Sequence, residues 1–277
     1  MRWCGGWSVQ ARLRTMGHIN LSTRHCMNPI QLATQALLHA RRDLQPQPAL
    51  PLPDADAAYQ VQAQVAAVLG WFAATAPGHW KSGGPSREAV ATHAPLPPAG
   101  IWASPADGRA WPFNVRVIEA EVALRLGRAV DAQVAAELDL DKARALVDAM
   151  CVSIEVVDSR WAEGLQAPAL AKLADAQSHG ALVLGEWRAF EPARDWTGQV
   201  CTVRIGCQPL LAFRGTHSMA DPAFVLMAWL RHVTRDGGVV PAGTVLTTGT
   251  WCGMLAAQAG DEVEVRFEGI GQAVLRL

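Results

Sequence analysis

Two stretches of this chain place charged residues inside otherwise apolar runs: VIEAEVALRLG (117–127) and CVSIEVVDSRW (151–161). Both predict β-strands. Side chains two apart on a strand share a face, so Glu119 and Glu121 project together while Ile118, Ala120 and Val122 face the other way. Helical spacing begins earlier, with Ile30, Leu32, Ala33, Ala36, Leu37 and Ala40 behind a cap at Asn28 and Pro29 at the first helical position. QPQPALPLP (45–53) breaks it, and Asp54 opens a second helix that ends near Gly70. The segment 71–116, rich in Pro, Gly and Trp, predicts strands and loops. Three further helices are expected: 141–150, 167–180 (stopping at Gly180) and 223–238 (capped by Asp221). The C-terminal 261–277 alternates and turns at Glu268–Gly271, the pattern of a β-hairpin. Helices in front and strands with intercalated helices behind indicate an α+β fold.

The chain has 277 residues, 50% of them hydrophobic, enough for one large domain. A formal net charge of −1 with no charged block argues against nucleic acid or a membrane surface as partner. No apolar run approaches the roughly 18 residues of a membrane span. The six cysteines form no CxxC pair and read as core residues of a reducing compartment, which predicts a cytoplasmic protein. Residues 1–26 contain no acidic residue and no periodicity. They read as an unstructured leader or as a start assigned upstream of Met27; an organelle transit peptide has the same arginine-rich composition.

Chemistry enters with the glutamates. Adjacent buried carboxylates are costly unless a cation compensates them. If the strands bearing Glu119, Glu121 and Glu155 lie side by side, the three converge as ligands for a hard divalent ion such as Mg²⁺. Three oxygens would leave about three octahedral positions for water or a chelating substrate. Thr248-Gly249-Thr250 offers hydroxyl and backbone donors to a carboxylate, although such a turn is common in purely structural roles. Lys81, between glycines in GHWKSGG (78–84), reads alone as a loop lysine. His93 and His217 lie in loops that could reach the site, with a plain structural role as the simpler reading. Asp158 and Arg160 read as an internal ion pair. Of the tryptophans, Trp80, Trp102 and Trp251 stand beside candidate site residues as possible pocket linings.

The order of Glu-x-Glu, EVVDSR (155–160), LVLGEW (182–187), GTHSMADP (215–222), LTTGT (246–250) and AGDEVEVRFEGIG (259–271) resembles the fumarylacetoacetate hydrolase superfamily, in its branch of 2-keto-4-pentenoate hydratases and 4-oxalocrotonate decarboxylases. The resemblance covers roughly residues 55–277. It implies a mixed β-roll over 101–277 that binds Mg²⁺ or Mn²⁺, behind a small helical region over 27–100. By position it implies Glu119, Glu121 and Glu155 as metal ligands, Lys81 as the catalytic lysine, and Thr250, with Gly249 and Thr248, at the substrate carboxylate. The implied reaction is hydration of a 2-hydroxyalka-2,4-dienoate to a 4-hydroxy-2-oxo acid, in the breakdown of aromatic compounds. Decarboxylation of a 4-oxalocrotonate-type substrate and a non-catalytic partner subunit are the alternatives. Family members assemble, so a homo-oligomer and a hydratase–decarboxylase association are expected. The sequence departs from the family around Lys81, where an extra residue precedes the lysine and Leu-Thr is lost, and across 92–108. Both segments shape the substrate pocket in the family.

Overall fold

The computed structural model describes residues 28–72 and 75–277; the expectations placed on 1–26 lie outside them. Helices α1 (Pro29–Asp43) and α2 (Ala55–Val68) come first. Asn28 and Gln31 close a reciprocal capping box on α1, and the Asp54 carboxylate accepts from the Ala57 N–H at the start of α2. The strands that follow are β1 (His79–Gly83), β2 (Thr92–Pro95), β3 (Ile101–Ala103), β4 (Ala106–Asp107) and the long β5 (Val117–Leu126). Short helices α3 (Ala132–Ala136) and α4 (Leu140–Arg144) lead into β6 (Val147–Val157). Then come α5 (Ala169–Ala174), β7 (His179–Leu184), β8 (Arg188–Ala189), β9 (Val200–Ile205) and β10 (Leu211–Arg214). Helix α6 (Phe224–Thr234) precedes β11 (Val245–Thr247), β12 (Leu255–Ala256) and the hairpin of β13 (Glu262–Phe267) and β14 (Gly271–Arg276).

Two sheets result, one ordered β2-β1-β11-β5-β6-β7-β3 with β12 on β5 and β8 on β6, the other ordered β10-β9-β13-β14-β4. Ile118, Ala120, Val122 and Leu124 of β5 and Val152, Ile154 and Val156 of β6 point to one face of the large sheet. There they meet Val203, Val263, Val265, Ala273 and Leu275 of the small sheet, with α6 contributing Leu226, Trp229 and Leu230. Because the middles of β5 and β6 are covered on both faces, their sequences read as largely apolar runs, broken by Glu119, Glu121, Ser153 and Glu155 on the second face and by the Arg125–Asp148 pair near one end. Helices α1, α2 and α5 form a separate layer with its own core of Leu37, Val61, Val65, Leu173 and the buried Trp161. The mixed α+β architecture agrees with expectation. The helices of that region stop at Val68, however, and His79–Gly83 and Thr92–Pro95 pair as strands of the large sheet, with His93 also bonded to Tyr59 and Gln62 of α2.

Three expected helices differ from the observed ones. The helix placed at 141–150 ends at Arg144, and Val147 already belongs to β6, because the ten-residue β5 offers pairing edge along its whole length. The helix placed at 167–180 ends at Ala174; Asp175 turns inward, and Gly180 lies in β7. A Cβ at Gly180 would stand 2.7 Å from the Val156 carbonyl oxygen, so this glycine answers to close strand packing and not to a helix stop. Helix α6 covers 224–234 of the expected 223–238, and the Asp221 carboxylate accepts from the Ala223 N–H while pairing with Arg144. Helix α3 was not foreseen.

Candidate active site

The second face of the large sheet carries the polar chemistry. In the β5–β6 ladder Glu119 stands opposite Glu155 and Glu121 opposite Ser153; β11 adds Thr247 beside Ala123, and β1 adds Lys81 beside Thr247. Cross-strand partners share a face, so four strands deliver Lys81, Thr247, Glu119, Glu121, Ser153 and Glu155 to one floor. One carboxylate oxygen from each of the three glutamates falls within 4.8 Å of the others, the convergence expected of side-by-side strands.

Each buried glutamate is held by one oxygen. Glu121 Oε2 accepts from the Thr247 hydroxyl and, at 3.0 Å, from the Gly249 N–H. Gly249 can aim that N–H because it adopts φ +108°, a region that side-chain-bearing residues avoid. Glu155 Oε1 accepts from Lys81 Nζ at 2.5 Å and lies 3.2 Å from His179 Nδ1. Glu155 Oε2 is buried without a protein partner, and Glu119 opens onto the adjoining cavity. A cluster of hard oxygen donors with an orphaned buried carboxylate oxygen fits a divalent cation of the Mg²⁺ type.

The electrostatics fit as well. Burial, and then the negative charge of Glu121, raises the Glu119 pKa; burial, and then Glu155, raises that of Glu121. Burial also opposes ionisation of Glu155, but Lys81 and His179 outweigh it and hold its pKa below the usual carboxylate value. Burial works against the Lys81 ammonium, yet the three carboxylates, Glu155 foremost, keep its pKa above the ordinary lysine value. The second donor contact of Lys81 is to the Gln177 carbonyl at 3.2 Å. Gln177 sits in a run of three non-glycine residues, Ala176, Gln177 and Ser178, all with φ between 48° and 58°. Such conformations cost of order 1–3 kcal/mol each and persist only where the surroundings impose them.

The other expected residues divide. Thr250 and Gly249 line the cavity, but the Thr250 hydroxyl donates to the Gly253 carbonyl and accepts from the Cys252 N–H. Thr248 is buried and donates to the Val122 carbonyl, so its hydroxyl secures the turn to β5 and faces no ligand. His217 lies 2.9 Å from the Thr248 carbonyl, packs on Trp251, and has its pKa lowered by burial to about 4. His93 is buried against Ser82, with its pKa lowered by burial to about 3. Neither lines the cavity, which favours the simpler of the two readings. Asp158 and Arg160 do pair, at 3.3 Å. Trp80, Trp102 and Trp251 do not line the cavity: Trp80 packs on Trp229, Trp102 on Trp111 and Phe113, and Trp251 on Trp196 and Phe267. Ring area of that size is drawn to the core.

Sequence reasoning missed Thr247, His179 and Gln177. Thr247 was within reach, since strand alternation from Val245 places it on a defined face; His179 and Gln177 depend on where α5 stops.

Residues 97–277 match the family model described as fumarylacetoacetate (FAA) hydrolase C-terminal. Two curated relatives, 2-keto-4-pentenoate hydratases 2 and 1 of Dechloromonas aromatica (strain RCB), are 31% identical over 155 residues and 29% identical over 154. Each match covers 56% of this chain and 57% of the relative, so the chain aligns with little more than half of either hydratase. The 4-oxalocrotonate decarboxylase from Pseudomonas putida G7, solved with magnesium and adipate, superposes with a TM-score of 0.75 at 17% identity. That superposition takes in 89% of this chain and 96% of the other, and at such low identity it speaks for the fold. The matched residues include both strands of the glutamate ladder and run on to the C-terminus, and on that extent this chain belongs to the fumarylacetoacetate hydrolase family.

Proposed function

We propose that this protein is a divalent-metal-dependent hydratase that adds water to a 2-hydroxyalka-2,4-dienoate to give a 4-hydroxy-2-oxo acid. The observation that carries the reading is the convergence of Glu119, Glu121 and the fully buried Glu155 beside Lys81, where Glu119, Glu121 and Lys81 line a cavity of about 750 Å³. The sequence likeness to two hydratases favours hydration over the decarboxylation named for the more remote structural relative. Glu119, Glu121 and Glu155 would hold Mg²⁺ or Mn²⁺. When bound, such an ion supplies Lewis-acid polarisation of the substrate's 2-oxygen and carboxylate.

The chain's own groups do the rest. Lys81, whose ammonium form its carboxylate neighbours favour, can donate a proton or stabilise a developing oxyanion. Gln177 and Glu155 fix its ammonium from two sides. Thr247 and the Gly249 N–H hold Glu121 by one oxygen, leaving the other free to ligate. His179 does the same for Glu155. No helix among the described residues is long and apolar enough to cross a membrane. A homo-oligomer working in the cytoplasm is part of the same reading.

The test is a Mg²⁺- or Mn²⁺-supplemented assay run in parallel on 2-hydroxypenta-2,4-dienoate and 4-oxalocrotonate. Loss of dienol absorbance with formation of a 4-hydroxy-2-oxo acid is expected. Release of CO₂ instead would make it a decarboxylase, and inertness toward both would leave a binding-only subunit.

Metal affinity should also rise with pH. The raised pKa values of Glu119 and Glu121 mean that both carboxyls must release protons before they can ligate a cation. Calorimetric titration with Mg²⁺ at about pH 6 and about pH 8, in buffers of different ionisation enthalpy, should show tighter binding and less proton release at the higher pH. Affinity independent of pH would remove these two carboxylates from the site.

A further inference from the structure

From the outer part of the cavity we infer that the ligand is a 2-oxo or 2-hydroxydienoic monocarboxylate with an extended hydrocarbon tail, and not a dicarboxylate. This inference rests on the proposed 2-oxo acid reading and deepens it. The acidic groups of the lining are on the floor, Glu119 and Glu121, beside Lys81 and Thr247; Ser82, Gln177, Ser178, Thr216 and Ser218 add neutral polar groups around them. Away from the floor, Val157, Leu165, Leu170 and Leu173 supply an apolar wall, drawn from the end of β6 and from the α5 segment. At the rim stand Val90 and Met254, 89% and 61% exposed, two of the few large apolar side chains that the described surface leaves uncovered.

Size points the same way. A cavity of about 750 Å³ falls in the range that houses drug-sized ligands, far more room than a five-carbon acid fills. Charge weighs against the alternative: the lining carries only two cationic side chains, Lys81 and Lys172, and no arginine. Lys81 is bound to Glu155, and the Lys172 ammonium donates to the Leu165 carbonyl at 3.2 Å. A second carboxylate placed on the leucine wall would lose its water, with Lys172 as the one cation in the lining not already paired with an acid.

Binding separates the readings without requiring turnover. In the presence of Mg²⁺, calorimetric affinities would be compared for 2-oxopentanoate, 2-oxooctanoate and the length-matched diacid 2-oxosuberate. Each buried methylene strengthens binding about fourfold, so 2-oxooctanoate should bind more than about tenfold tighter than 2-oxopentanoate. It should likewise bind at least about tenfold tighter than 2-oxosuberate, whose far carboxylate is desolvated against a largely apolar wall. Leu170→Ser should shrink the octanoate-to-pentanoate ratio. Equal affinities for the two monocarboxylates would overturn the tail subsite. So would preferred binding of 2-oxosuberate that Lys172→Met abolishes, which would assign the wall to a second carboxylate. If 2-hydroxypenta-2,4-dienoate is hydrated but affinity ignores tail length, the subsite fails alone. If the dienoate is inert but the tail preference holds, the hydratase reading fails and the subsite stands.

Discussion

Glu121→Gln should lower kcat/KM on the preferred dienoate by about three orders of magnitude, roughly 4 kcal/mol of transition-state stabilisation, while leaving the metal-free protein as stable as before or more so. The two halves of this expectation have one cause. The Glu121 carboxylate is buried beside Glu155, and its raised pKa states that the fold disfavours its charge. A group whose pKa is raised in the folded state binds protons more tightly there than in the unfolded chain. The metal-free fold therefore loses stability as pH climbs from the ordinary carboxylate range through the raised value. Glutamine removes that charge yet keeps an oxygen to accept from the Thr247 hydroxyl and the Gly249 N–H, so the local geometry has no reason to change. Urea unfolding of the metal-free variant near pH 8 and a steady-state assay with saturating Mg²⁺ would measure both. Full activity would remove Glu121 from the metal site. Equal losses of activity and stability would make the cluster a structural feature whose charges the fold needs.

The contrast extends to Glu155. Its pKa is lowered, because Lys81 and His179 outweigh its burial, so here the fold favours the charge. Two glutamates on facing strands thus carry opposite electrostatic signatures: one is strained without a cation, the other already paired with an ammonium. On the proposed reading, lysine and a bound cation would compete for the same carboxylate cluster. Ligation would loosen the grip of the carboxylates on Lys81 and bring its proton closer to the neutral range, where donation is effective.

Where sequence and structure agree, the deciding forces were local. Asn28 and Asp54 cap their helices through neighbouring backbone, and the Glu-x-Glu pair shares a face because strands alternate. The hairpin at the C-terminus turns where its glycines allow, at Gly269 and Gly271. Where they disagree, a distant partner decided. Residues 147–150 satisfy helical spacing and strand alternation alike, and β5 selects the strand by offering its edge. Helix α5 stops because Asp175 is claimed by arginines that are distant in sequence or lie beyond a turn. Thr247 is half legible: alternation from Val245 sets it on the face opposite to Leu246, but only the register of β11 on β5 decides that this face is the one that meets Glu121. The tryptophans beside candidate residues looked like pocket walls, but neighbours in sequence on a strand point to opposite faces, and Trp80 and Lys81 illustrate this directly.

Asp175→Ala should destabilise the protein by about 3–5 kcal/mol, the cost of stranding buried charge. The Asp175 side chain is fully buried. Its carboxylate accepts from Arg160 Nε at 2.7 Å, from the Arg160 N–H at 3.0 Å and from Arg41 Nη2 at 2.8 Å. Alanine would leave two guanidiniums in the interior with only Asp158 nearby, at 3.3 Å from Arg160. Asp175→Asn, which keeps the shape and an acceptor oxygen, should cost less. The damage should also reach the active site, because Asp175 anchors the left-handed residues 176–178 against their own conformational preference. On that turn depend the Gln177 carbonyl that receives the Lys81 ammonium and the approach of His179 to Glu155. Activity measured well below the unfolding midpoint should therefore fall in Asp175→Ala, with kcat reduced more than KM is raised. A urea midpoint shift worth less than about 1 kcal/mol, at unchanged m-value, would show that this ion cluster is dispensable and that the turn is held by something else.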